Sequence, residues 1–182
     1  MTVGGEGFVL GEPAPELKLP DTDGRTRSLA EAEGAPAAVV IWTCIHCPYA
    51  RAWHGRLADA ARDYSPRGVR FFAVNSNDGD RYPADSFEGM RKRVAEEDWP
   101  FPFLHDEDQD TARAWDANVT PHVFVLDSER RLRYQGAPDA DHADRSQNAS
   151  WLRDALDAVL EGEAVERAET DPVGCSVKWK RD

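Results

Sequence analysis

Ala37-Ala38-Val39-Val40-Ile41-Trp42, followed by Thr43-Cys44-Ile45-His46-Cys47-Pro48, is the stretch on which the fold turns. The first six residues are all apolar. They have the length of a strand and lack the polar alternation of a half-exposed one, so they predict a central strand buried on both faces of a sheet. Pro48 suits the first turn of a helix, where its missing N–H costs nothing. Beyond it, Ala50, Trp53, Leu57, Ala60, Ala61 and Tyr64 recur at helical spacing, and Pro66 and Gly68 end the run. A strand running straight into a helix leaves the intervening loop at the strand's carboxyl end. Ligands and chemistry gather there in open α/β sheets.

Working outward towards the C-terminus, Val69 to Val74 reads as a second strand leading into the polar loop Asn75 to Asp78. Asp85 to Glu97 reads as a helix with Phe87, Met90 and Val94 facing inward. Phe101 to Leu104 reads as a third strand, and Asp106 to Asp110 opens another helix, its acids suiting a helix N-terminus. Val123 to Leu126 and Leu132 to Gln135 form a hairpin. Ala137 to Gln147 is a polar loop, Ser150 to Leu160 a last helix, and an irregular tail after Gly162 carries Cys175 and Trp179. Towards the N-terminus, Leu17 and Leu19 alternate like a short strand, Asp23-Gly24 turns, and Arg25 to Ser28 returns. Ser28 and Glu31 form the capping box of a short helix that ends at Gly34. Strands alternating with helices argue for an α/β sheet, parallel in its middle.

The chain of 182 residues fits one domain, over 8–162, with 163–182 as a tail packing on it. Its net charge of −12 repels phosphate backbones, so nucleic acid is not an expected partner. No apolar run approaches the ~20 residues that span a bilayer, so no membrane partner is expected. Met1 to Leu10 lacks the basic and apolar parts of a secretory signal, and the expected location is cytoplasmic. Three cysteines are too few for a disulfide scaffold. A C-x-x-C pair in a reducing compartment points to redox chemistry or metal binding.

Cys44 stands before the expected helix, where backbone N–H groups and the helix dipole favour thiolate. Cys47 can reach back and close a small disulfide ring. The expected division of labour is Cys44 as attacking thiol and Cys47 as resolving thiol, with a protonated His46 tuning the pair. Asn75 and Asn77 sit on a loop at the same edge of the sheet, where they either line the dithiol pocket or cap the next helix. Cys175 reads as a small residue packing in the tail with Val177 and Trp179; a second resolving thiol or a metal ligand are the alternatives. His122 reads as a core or surface histidine. Asp139, Asp141, His142 and Asp144 lack the Gly and terminal Glu of a calcium loop and read as a solvated loop.

The chain resembles the thioredoxin superfamily, in particular its alkyl-hydroperoxide-reductase/thiol-specific-antioxidant, or peroxiredoxin-like, branch. The resemblance runs from about residue 8 to the C-terminus. It is carried by Gly11-Glu12-Pro13-Ala14-Pro15 with Leu17, Leu19, Asp21 and Gly24, and by Cys44-Ile45-His46-Cys47-Pro48-Tyr49. Asn75 to Asp78, Phe101-Pro102-Phe103 with Asp106, Thr120-Pro121-His122 and Gly174 to Trp179 extend it. It implies a three-layer α/β/α sandwich with a mixed central sheet and an N-terminal β-hairpin extension. It also implies a cis-proline at Thr120-Pro121, packed against the dithiol, whose backbone offers an edge for a substrate strand. The implied activity is thiol-disulfide exchange, with peroxide reduction as the alternative and a copper or zinc thiolate module as a second. Partners would be a protein or small-molecule disulfide, or a peroxide, together with a thiol reductant; no cofactor is implied. Peroxiredoxins place Thr and Pro ahead of the reactive cysteine, where Ile41 and Ala37 precede Cys44, and Cys44 and Val40 precede Cys47. Thioredoxins carry a buried acid on the preceding strand, at the place of Ala38. Here another group, a water or a residue of the neighbouring loop, would handle the Cys47 proton.

Overall fold

A computed structural model describes residues 8–97 and 99–182. The part of the N-terminal reading that falls on residues 1–7 lies outside the described residues. The expected strand forms β3 (Ala37–Trp42), wholly buried, after an antiparallel hairpin of β1 (Lys18–Pro20) and β2 (Thr26–Ser28). The Ser28–Glu31 capping box is present in full, on a single 3-10 turn over Leu29–Ala32. Helix α1 spans Pro48–Tyr64, β4 Arg70–Asn75, α2 Phe87–Glu96, β5 Phe103–His105 and α3 Asp110–Ala114. Then come β6 (Val119–Thr120), β7 (His122–Asp127), β8 (Leu132–Gly136), α4 (Ser150–Leu160) and β9 (Cys175–Ser176).

The central sheet has the order β5-β4-β3-β7-β8. Strands β5, β4 and β3 run parallel, while β7 and β8 are antiparallel, so the sheet is mixed. Period-2 alternation on β3 feeds two cores. Val39 and Ile41 pack with Trp53 and Leu57 of α1 and Leu152 and Leu156 of α4. Val40 and Trp42 pack on the other face with Leu17, Leu29, Trp115 and Phe124. Truncating one such side chain, for instance Leu57→Ala, costs about 2–5 kcal/mol. The fold is thus the expected thioredoxin-like α/β class. Among the described residues, no helix is long and apolar enough to cross a membrane.

Several boundaries differ from expectation for local reasons. The third strand starts at Phe103 because Pro100 and Pro102 have no N–H to give a ladder. Asp106 lies ahead of α3; its carboxylate accepts from the Ala112 N–H at 2.9 Å and caps the helix from outside. Helix α2 begins at Phe87 with Ser86 as its cap, leaving Asp85 at the end of a 3-10 turn and fully buried. Two further readings are corrected. The Ala137–Gln147 loop is not simply solvated, because Asp139 is buried and ion-paired with Arg56 at 3.0 Å. The tail is not irregular throughout, because Cys175–Ser176 pairs antiparallel with Val119–Thr120.

Candidate active site

Strand β3 delivers the cysteine loop to its carboxyl end. The Thr43 N–H continues the parallel ladder to Val74 O at 2.9 Å, and there regular pairing stops. Past Cys44, two amides turn towards one carboxylate: Ile45 N–H donates to Asp85 Oδ1 at 2.6 Å and His46 N–H to the same atom at 3.3 Å. Cys47 is extended, with φ −73° and ψ 124°, and is the N-cap of α1, with Pro48 opening the helix. The helix thus begins after Cys47, whose side chain makes no capping hydrogen bond, and Cys44 lies nearly a turn before it. This corrects the expected placement of Cys44.

Thr120 touches both sulfurs. Its Oγ1 lies 3.4 Å from Cys44 Sγ, and its carbonyl accepts from Cys47 Sγ at 3.6 Å. The Thr120-Pro121 bond is cis, as the resemblance implied. Cys44 and Cys47 pack against each other, and both are buried. That contact, followed by burial and the Asp85 charge, pushes the Cys44 thiol far up. The same contact draws Cys47 down to about 4, opposed by burial and helped by the neighbouring Cys175 and the Ala50 N–H. The two thiols titrate as a pair, with burial and the Asp85 charge disfavouring the thiolate at Cys44.

Asp85 was missed by the sequence reading, which placed it inside a helix. The overlooked signal was Ser86: a serine two residues before Glu88 is itself a good cap, which releases Asp85 from that duty. Besides the two loop amides, Asp85 Oδ2 accepts from Asn77 Nδ2 at 3.0 Å and contacts His46 Nδ1. The His46 ring stacks on Tyr82 with centroids 5.0 Å apart. His46 thus stands beside the thiols with its ring held by Asp85 and Tyr82.

Asn75 and Asn77 do not line the sulfurs directly. Asn75 Nδ2 donates to Asp85 O at 2.7 Å, and Asn77 Oδ1 accepts from the Lys178 N–H at 2.8 Å. Both residues fix Asp85, and Asn77 also holds the tail. His122 is buried and stacked on Phe124, and burial pushes its imidazole down to about 4. Cys175 packs against Cys44, Cys47 and Ala50 instead of joining the small tail cluster expected for it, and burial raises its thiol to about 11. A cleft of about 190 Å³ opens beside Cys44, lined by Thr43, Ile45, Arg51, His54, Glu97 and Trp99 among others. One donor atom each from Cys44, His46 and Asp85 lies within 4.8 Å of the others. This sulfur, nitrogen and oxygen set has the chemistry of a zinc-class site. The set expected from sequence was Cys44, Cys47 and one His or Cys175; this one keeps Cys44 and a histidine and has Asp85 in place of Cys47.

Comparison with known proteins adds the context. The profile of the Redoxin family matches residues 10–151. No curated protein matches the chain. An uncharacterised conserved protein from Geobacillus kaustophilus is similar over 97% of this chain and 95% of its own, at 38% identity and a TM-score of 0.92. A hypothetical protein from Sinorhizobium meliloti 1021 is similar over 97% of this chain and 98% of its own, at 34% identity and a TM-score of 0.91. A putative thiol:disulfide interchange protein DsbE from Chlorobium tepidum shares the fold, at 20% identity and a TM-score of 0.68, over 85% of this chain and 99% of its own.

Proposed function

The chain belongs to the Redoxin family of the thioredoxin superfamily, and on that premise we propose that it is a thiol-disulfide oxidoreductase cycling Cys44 and Cys47 between dithiol and disulfide. The observation that carries this reading is the packing of Cys44 against Cys47 at the head of α1, with Thr120 against both sulfurs. Two thiols held side by side three residues apart are already in the arrangement from which a ring disulfide closes.

In the proposed reaction, Cys44 attacks the substrate disulfide from the cleft side, and its proton passes to the Cys47 thiolate. A bond forms between Cys44 Sγ and one substrate sulfur as the substrate S–S bond breaks, and the first product leaves as a thiolate. Cys47 then gives its proton to solvent or product and attacks Cys44 Sγ. The Cys44–Cys47 bond forms and the second product thiolate departs. The substrate disulfide has gained two electrons and the protein dithiol has lost them. A thiol reductant reverses the second half. Asp85 acts here as a positioning residue: it anchors the loop amides, and its charge keeps the proton on Cys44 at rest.

Disulfides are favoured over peroxides as substrate because the positions where peroxiredoxins carry Thr and Pro are Ile41 and Ala37, both buried in the sheet, which leaves Thr120 to supply the hydroxyl beside Cys44. The test is turnover of insulin or a small aromatic disulfide beside turnover of hydrogen peroxide. Cys44→Ser is expected to abolish disulfide turnover, and Cys47→Ser to stall it as a trapped mixed disulfide. Unchanged turnover in Cys44→Ser, or peroxide reduction outpacing disulfide reduction, contradicts the assignment.

A further inference from the structure

The edge that would offer itself to a substrate strand is already paired with the chain's own tail. Strand β9 runs antiparallel to β6 with Thr120 opposite Cys175 and Val119 opposite Ser176. The tail cysteine is therefore in register with Thr120, which touches both sulfurs of the dithiol. The approach is close enough to exclude a side chain next to it. A Cβ at Gly174 would fall 1.8 Å from the Thr120 carbonyl oxygen and 3.2 Å from Pro121 Cδ. Beyond β9, the Val177 N–H donates to Asn118 O at 2.8 Å, and Lys178 O accepts from the Asp78 N–H at 2.8 Å and from Gln109 Nε2 at 2.9 Å. The tail is thus fastened on one side by backbone pairing and on the other by a buried loop. Cys175 packs on the Cys44–Cys47 cluster and is the more exposed sulfur of the three.

We propose that Cys175 is a third redox thiol, delivered to Cys47 by the paired tail, so that the protein carries two alternative disulfides, Cys44–Cys47 and Cys47–Cys175. The proposal rests on the dithiol reading above and extends it. In the exchange, the Cys175 thiolate attacks Cys47 Sγ of the Cys44–Cys47 disulfide. The Cys47–Cys175 bond forms as the Cys44–Cys47 bond breaks, and the electron pair leaves on Cys44 Sγ, which takes up the proton that Cys175 gave up. No external oxidant enters, and the protein keeps the same number of electrons. Two consequences follow from burial. Cys44, the sulfur at the cleft, is free again while the oxidising equivalent is stored at the tail. The incoming thiol reductant meets Cys175, which solvent reaches, rather than the fully buried Cys47. The tail strand is then a built-in exchange partner occupying the docking edge.

The test is disulfide mapping. Reduced protein is oxidised in steps with oxidised glutathione, quenched in acid, blocked with N-ethylmaleimide and mapped by peptide mass spectrometry. In Cys44→Ser the expected product is the Cys47–Cys175 disulfide, not an accumulating glutathione adduct. Adding Gly174→Ala to that variant drives the tail off Thr120, and the yield of the bond is expected to fall at least tenfold. Equal yield with and without Gly174→Ala, or a stable glutathione adduct on Cys47 in Cys44→Ser, overturns the proposal. Should the variants fail to fold, wild-type protein decides. Partially oxidised wild-type protein is expected to contain both disulfides. Cys44–Cys47 alone at every stage overturns this proposal only, whereas absence of both bonds overturns the dithiol reading beneath it.

Discussion

Asp85 and Asp139 are both fully or almost fully buried carboxylates, yet the partners around them differ in kind. Asp139 is met by the Arg56 guanidinium, by Trp53 Nε1 at 2.8 Å and by the Ala149 N–H at 2.9 Å. Arg56 also donates to the carbonyls of Asp141 and His142, so one fixed cation ties α1 to the loop ahead of α4. Asp85 is met by the Ile45 and His46 amides, by Asn77, and by the His46 ring. A permanent charge pair fastens structure at a fixed value. A carboxylate held by backbone amides, an asparagine and an imidazole, with no guanidinium against it, leaves its field to act on what lies beside it, and here that is Cys44.

The sharpest way to break this contrast is to remove each acid in turn. Asp139→Ala strands the Arg56 guanidinium in the core and is expected to cost about 3–5 kcal/mol of stability, read by chemical denaturation. Disulfide turnover of the fraction that remains folded is expected to persist. A loss under about 1 kcal/mol would mean that Arg56 is not relying on this partner.

Asp85→Asn keeps the shape and removes the charge, so its stability cost is expected to be smaller, about 1–2 kcal/mol. Its main effect falls on the thiols, followed by thiolate ultraviolet absorbance against pH. In the wild type one thiolate is expected to persist through mildly acidic pH and vanish as pH falls through about 4, because Cys47 regains its proton there. Cys44 is expected to stay protonated into strongly alkaline solution. In Asp85→Asn the like-charge repulsion is gone and Cys44 is expected to titrate at lower pH, while Asp139→Asn leaves the curve unchanged. An unmoved Cys44 in Asp85→Asn, or a first thiolate that appears only near the ordinary thiol value of about 8.5, contradicts the account of the site.

The same contrast explains what the sequence could reveal. Ala37 to Trp42 announced its strand because six apolar residues with a helix behind them fit few other places. Helix α1 announced its buried face through regular spacing from Ala50 to Tyr64. Cys44, Cys47 and Thr120-Pro121 were legible because their order relative to that strand and helix places them at one edge of the sheet. Asp85 was not, because its burial depends on Asn75, Asn77 and a loop 40 residues earlier, none of which leaves a periodic mark near it. The Arg56–Asp139 pair spans 83 positions and was read instead as a polar loop. Cys175 was misplaced because β9 has two residues, too few to carry alternation; the clue was Gly174, whose missing side chain allows the backbone contact with Thr120. Long-range polar contacts decide sites like this one, and they have no short-range signature.

The most direct measurement is a redox titration of the wild-type protein in glutathione buffers of graded potential, with alkylation and mass mapping at each step. The account predicts a reversible two-electron transition in which Cys44 and Cys47 lose reactivity together and a disulfide between them is recovered. Cys44 and Cys47 remaining alkylatable across the whole range, or oxidising irreversibly beyond the disulfide, would contradict it.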